Sequence, residues 1–138
     1  MPVMREFTVQ MEDRPGTLGK CCRALGDRGV NILAFHSFSS EGKSAVRFIV
    51  DNLTAAKTVL DADRYTYIET EVALANLPNR PGELARAASR LGEASININY
   101  AYSGIEPGTS ASFLIFGVAD APRAASILDR AAAAAAAT

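Results

Sequence analysis

The strongest constraint on the fold of this chain is an internal repeat. Asp13-Arg14-Pro15-Gly16-Thr17-Leu18 returns 66 residues later as Asn79-Arg80-Pro81-Gly82-Glu83-Leu84. The match continues without a gap, Leu25-Gly26-Asp27 against Leu91-Gly92-Glu93 and Val30-Asn31-Ile32 against Ile96-Asn97-Ile98. Of the 20 positions from 13 to 32, eight are identical to their partners. The agreement loosens later, where Val59-Leu60-Asp61 meets Ile127-Leu128-Asp129 after a two-residue insertion. Two copies are too few for a solenoid. With 138 residues in all, each copy is long enough to be a small domain.

Within one copy the apolar period changes in a telling order. From Arg5 to Met11, Phe7, Val9 and Met11 alternate with polar neighbours, the pattern of a half-buried strand. Arg14-Pro15-Gly16 ends it, and proline suits a first helical turn because its missing N–H would be unpaired there anyway. Leu18, Cys21, Cys22 and Leu25 then fall at i, i+3, i+4 and i+7, one stripe of an amphipathic helix that Gly29 can end in a left-handed conformation. Asn31–Phe38 and Ser44–Val50 read as strands joined by the loop Ser39–Lys43. Thr54 is placed to cap a short helix over Ala55–Leu60, and Tyr65–Thr70 reads as a fourth strand. The order βαββαβ is the ferredoxin-like α+β arrangement, an antiparallel sheet with its helices on one face.

The second copy predicts the same elements: a strand over Val72–Leu77, a helix from Pro81 to about Ala94 with the stripe Leu84, Ala87, Ala88 and Leu91, and a hairpin of Ile96–Ser103 and Ser110–Val118 joined by Gly104–Thr109. Ser95 stands where the first copy has Gly29. Asp120 caps the last helix, with Pro122 in its first turn. The copies lack a linker, since Tyr65–Leu77 is β-prone throughout. A final strand is missing from the second copy. In its place the alanine run Ala131–Ala137 lets the last helix continue, alanine being the best helix former.

Composition narrows the function. Apolar residues make up 49% and charged residues 21%, which supports a packed core, and the net charge is −1. A nucleic-acid binder would show a basic excess, so no nucleic-acid partner is expected. The N-terminus lacks a signal-peptide pattern, and no apolar run reaches the roughly 18 residues that span a bilayer, so the expected setting is cytoplasmic with no membrane partner. Cys21 and Cys22 are adjacent and match no zinc spacing, and they read as buried thiols on a helix; no metal or cofactor is expected. His36, the single histidine, has no partner in sequence and reads as packing or surface. Tyr100 and Tyr102 share a strand face and suit core or interface packing.

The motif [Asp/Asn]-Arg-Pro-Gly-x-Leu, with Gly-x-x-x-[Val/Ile]-Asn-Ile downstream in both copies, resembles the ACT domain, and its duplication resembles the tandem two-domain ACT proteins. The resemblance implies ACT domains over residues 1–70 and 71–138, side-by-side sheet pairing, and allosteric binding of a free amino acid at domain edges. It also implies two effector-holding asparagines, one before the Arg-Pro-Gly turn and one opening the second strand. Here these are Asn79 and Asn97, 18 residues apart; the first copy keeps the spacing with Asp13 and Asn31. The histidine often found two residues before the first asparagine is replaced by Met11 and Leu77.

The chemistry of an amino-acid zwitterion fits this set. The first turn of a helix leaves N–H groups unpaired and carries partial positive charge. Gly82, Glu83 and Leu84, and equally Gly16, Thr17 and Leu18, can direct such groups at a carboxylate, with glycine allowing close approach. Carboxamides at Asn79 and Asn97 both donate and accept, whereas Asp13 only accepts and would favour an ammonium. The reading is a non-enzymatic amino-acid sensor, a homodimer acting on a separate metabolic enzyme. Two alternatives stay open: a ligand-free dimerisation module, and a regulatory subunit of an amino-acid biosynthetic enzyme. An enzyme is the weakest class, because no nucleophile elbow, phosphate loop or paired metal ligands occur.

Overall fold

The computed structural model describes residues 3–105 and 112–137. Its elements are β1 (Val3–Glu12), α1 (Thr17–Asp27), β2 (Ile32–Ser40), β3 (Lys43–Val50), α2 (Leu53–Ala62), β4 (Thr66–Leu77), α3 (Glu83–Glu93), β5 (Tyr100–Ile105), β6 (Ser112–Gly117) and α4 (Ala121–Ala137). This is an α+β, ferredoxin-like fold with antiparallel strand pairing and four helices. The chain divides into two compact units, one of Arg5–Thr70 and one of Glu71–Thr138 together with Met1–Met4. Strands β1 and β4 each contribute to both units.

In the unit of Arg5–Thr70, β3 pairs antiparallel with β1, Phe7 opposite Phe48 and Val9 opposite Val46, and with β2, His36 opposite Arg47. Phe7, Val9, Val46 and Phe48 meet Cys21 and Leu25 of α1 and Ala56, Val59 and Leu60 of α2 in one core. Of the stripe read from the sequence, Cys21 and Leu25 face inward as expected with Leu18 at the margin, whereas Cys22, expected buried, is half-buried and outside the core. The hairpin is tighter than its five-residue reading. Ser40 pairs with Lys43, leaving Glu41-Gly42 as a two-residue turn at φ 54 and 77. Positive φ at both central residues matches the twist of the flanking strands. The cap of α2 is Asn52 rather than Thr54: the Ala55 N–H donates to Asn52 Oδ1 at 3.0 Å.

In the other unit, β6 pairs antiparallel with β4, Ala73 opposite Phe116, and with β5, Tyr102 opposite Ile115. Ala73, Ala75, Leu77 and Phe116 pack against Ala87 and Leu91 of α3 and Ala121, Ala124, Ala125 and Leu128 of α4. Asp120 caps α4 as expected, its Oδ1 accepting from the Arg123 N–H at 3.1 Å. The missing last strand has no C-terminal counterpart among the described residues, where α4 runs on to Ala137. Instead the start of β1 belongs here, and Val3 packs against this core. The separate strands expected at Tyr65–Thr70 and Val72–Leu77 are one 12-residue strand, β4. The second hairpin strand begins at Tyr100, four residues later than its periodicity suggests. Residues 106–109 of the joining loop, and the expected strand start at 110 and 111, lie outside the described residues.

Strands expected to be half-buried bury both faces. Ala34 and Ile49 in one unit, and Val72, Leu74, Phe113 and Ile115 in the other, are buried outside the two helix-facing cores. Glu6 on β1 is fully buried as well.

One device ends three of the helices. Gly29, Arg64 and Ser95 take positive φ of 73, 58 and 60. The next residue in each case donates back to a carbonyl five positions earlier: Val30 to Leu25 at 3.0 Å, Tyr65 to Leu60 at 2.9 Å and Ile96 to Leu91 at 2.9 Å. These bonds satisfy carbonyls that a helix end otherwise leaves unpaired.

Candidate functional site

The repeated Arg-Pro-Gly turn builds the same backbone twice. Gly16 and Gly82 cap α1 and α3 at φ 90 and 88, without a side-chain cap bond. A β-carbon at either glycine would meet nothing within 4 Å. Glycine is therefore required here for its positive φ. The first helical N–H groups, Thr17 and Glu83, turn back to the Arg14 and Arg80 carbonyls at 3.4 Å.

The side chains around the two turns diverge. In the first copy Arg14 pairs with Glu12, both well exposed. The Thr17 hydroxyl lies 2.9 Å from the Glu12 carbonyl and 3.1 Å from that of Arg14. In the second copy the residue matching Glu12 is Pro78 and the one matching Thr17 is Glu83. The arginine accordingly turns forward: Arg80 Nε donates to Glu83 Oε1 at 2.6 Å, with Arg86 3.9 Å from the same oxygen. Glu83 is 4% exposed, and its other oxygen, Oε2, is buried without a hydrogen-bond partner. Its place in the first turn of α3 sets the carboxylate at the positive end of the helix dipole.

A cavity of about 230 Å³ opens beside this turn, walled by Leu77, Pro78, Asn79, Arg80, Glu83, Leu84, Ser103 and Leu114. Of the second-copy residues singled out from sequence, Asn79, Glu83 and Leu84 line it. Gly82 shapes the turn from outside the lining, and Asn97 is not among the walls. Asn97 is exposed, and its Nδ2 donates to Asn99 Oδ1 at 3.0 Å. The wall residues Arg80, Ser103 and Leu114 were not singled out. Arg80 sits inside the repeated motif, and its spacing of three from Glu83 on a helix start was the available signal.

The first copy has a cavity of about 270 Å³ lined by Gln10, Met11, Glu12, Arg14, Thr17, Lys20, Asp63, Arg64, Tyr65 and Thr66. Thr17 alone represents the expected set there; Asp13, Gly16, Leu18 and Asn31 do not line it. Asn31 is engaged through its main chain, its N–H donating to Asp51 Oδ1 at 2.9 Å and its carbonyl accepting from the Asp51 N–H at 3.1 Å.

Burial raises the Cys21 thiol to about 11, and burial also raises Cys22, so neither is poised as a nucleophile. Burial and then the Arg47 charge lower the pKa of His36, whose Nε2 lies 3.0 Å from Arg47 and whose ring stacks on Phe38. Tyr100 and Tyr102 stack with centroids 6.4 Å apart. Among the described residues no group of His, Cys, Asp or Glu could hold a metal ion, and no helix is long and apolar enough to cross a membrane.

No curated protein matches the chain in sequence. A protein from Bacteroides thetaiotaomicron shares the fold at a TM-score of 0.82 and 20% identity, over 93% of this chain and 88% of its own. The regulatory subunit of aspartate kinase from Thermus thermophilus matches at 0.64 and 17% identity, over 94% and 92%. A structure of aspartokinase alpha and beta subunits matches at 0.56 and 14%, over 95% and 97%. At these identities the likeness is one of fold. In sequence, residues 6–62 match the family model of the ACT domain.

Proposed function

We propose that this chain is a tandem ACT protein, with domains over 1–70 and 71–138, that senses a free amino acid and regulates a separate metabolic enzyme. The observation that carries the reading is the cavity at the start of α3, where Asn79, Arg80 and Glu83 bring a carboxamide and both signs of charge to one small recess. Leu77, Pro78, Leu84 and Leu114 supply its apolar walls, and about 230 Å³ falls below the 300–1,000 Å³ common for drug-sized ligands. A ligand of amino-acid size is the natural occupant. The repeated motif and the ACT match over 6–62 support the domain reading. The aspartate kinase regulatory subunit of the same fold supports a partner enzyme of amino-acid metabolism. The ligand would act by stabilising one arrangement of the chain over another, to the extent that it binds the two differently. A homodimer is the proposed assembly.

Thermal unfolding of the chain in the presence of each of the twenty amino acids tests the sensor reading. A ligand at a hundred times its Kd adds about 2.7 kcal/mol of stability, so one amino acid, or a narrow set, is expected to raise the midpoint by several degrees. In Asn79→Ala that rise should shrink, because a hydrogen bond to a charged group is worth about 1.5–3 kcal/mol. No rise with any amino acid, together with a concentration-dependent dimer, would favour the dimerisation module.

A further inference from the structure

The geometry points to Glu83 as the counter-charge for the ligand's ammonium group, which makes the α3 cavity an amine-recognising site and distinguishes it from its counterpart at α1. The inference rests on the sensor reading and names the chemistry of its site. Among the described residues, Glu83 Oε2 is the buried side-chain polar atom left without a partner. The other oxygen is committed to Arg80 at 2.6 Å, with Arg86 nearby. A buried carboxylate oxygen without a donor is costly, and a ligand that brings one recovers that cost on binding. An ammonium offers three donors and the complementary charge, and charge-assisted hydrogen bonds are about twice as strong as neutral ones.

The placement of Glu83 also changes what the start of the helix can do. Its carboxylate already occupies the positive end of α3, and its own N–H is turned back to Arg80. The α3 turn therefore offers a ligand a carboxylate beside the Arg80 guanidinium, where a bare helix start would present N–H donors alone. The first copy has Thr17 at this position, with its hydroxyl at the Glu12 and Arg14 carbonyls. No buried acid stands at that turn, so the duplication has produced one ammonium site in the chain and left the other copy without it.

Titration calorimetry of the wild-type chain and Glu83→Gln, with each of the twenty amino acids and with the 2-hydroxy and N-acetyl analogues of the one that binds, tests this. Glutamine keeps the size of the side chain. With its amide oxygen held by Arg80, its NH2 falls where Oε2 was, so donor faces donor. The amino acid should bind the variant about ten- to a hundredfold more weakly, whereas the 2-hydroxy analogue should be far less affected. Wild-type affinity in the variant, or equal loss for amino acid and hydroxy acid, would overturn the assignment. If the variant does not fold, the wild type still decides. Both analogues should bind it at least tenfold more weakly than the amino acid, and equal affinities would contradict the inference. Absence of binding by every amino acid overturns the sensor reading and this inference together, so the two failures are told apart.

Discussion

Ser95 adopts at φ 60 the conformation that Gly29 adopts at φ 73, and it does so with a β-carbon. Left-handed geometry costs an L-residue with a side chain about 1–2 kcal/mol, and the bond from Ile96 to the Leu91 carbonyl helps to hold it there. Ser95→Gly removes that strain but gives the unfolded chain more freedom, so a net gain of about 0.5–1 kcal/mol is expected in denaturant unfolding. An unchanged or lower midpoint would show that Ser95 is not strained. Single residues also decide the site. The exchange of Thr17 for Glu83 between copies redirects the motif arginine from Glu12 to its own helix. That change was visible in the repeat as a mismatch, yet its consequence depends on side-chain direction, which a period of apolar residues does not encode.

At the scale of elements, periodicity located α1 and α3, whose stripes turn Cys21 and Leu25, and Ala87 and Leu91, toward the strands, while capping residues located α2 and α4. Boundaries followed local hydrogen bonding instead. Thr54 and Asn52 are both good capping residues, and only the path of the backbone, extended at Asn52, gives its side chain the Ala55 N–H. Asn52→Ala should therefore destabilise the chain by about 1 kcal/mol, measured by chemical unfolding, and Thr54→Ala by less. A reversed order would return the cap to Thr54. The late start of β5 has a similar origin. Asn97 and Asn99 bond to each other while the Asn99 N–H reaches the Gly117 carbonyl at 2.8 Å, so ladder pairing begins only at Tyr100. The Tyr100 ring then lies against Gly117, where a β-carbon would come within 2.3 Å of it.

Across the whole molecule, the repeat made the fold legible and the site only half so. Two similar sequences give two similar orders of strand and helix, and β-prone sequence from Tyr65 to Leu77 correctly left no room for a linker. The sequence did not reveal that Val3 and Met4 stand with the second unit, since a strand shared along its length between units has the same alternation as any other. Asn79, Glu83 and Leu84 were legible from the motif and Arg80 stands within it, while Ser103 and Leu114 reach the cavity through tertiary structure. The most direct test of the account is an amide NMR titration of the chain with the twenty amino acids, assigned residue by residue. The account predicts that one amino acid moves the resonances of Asn79, Arg80, Gly82, Glu83, Leu84 and Ser103. Shifts confined to other residues, or none with any amino acid, would contradict it.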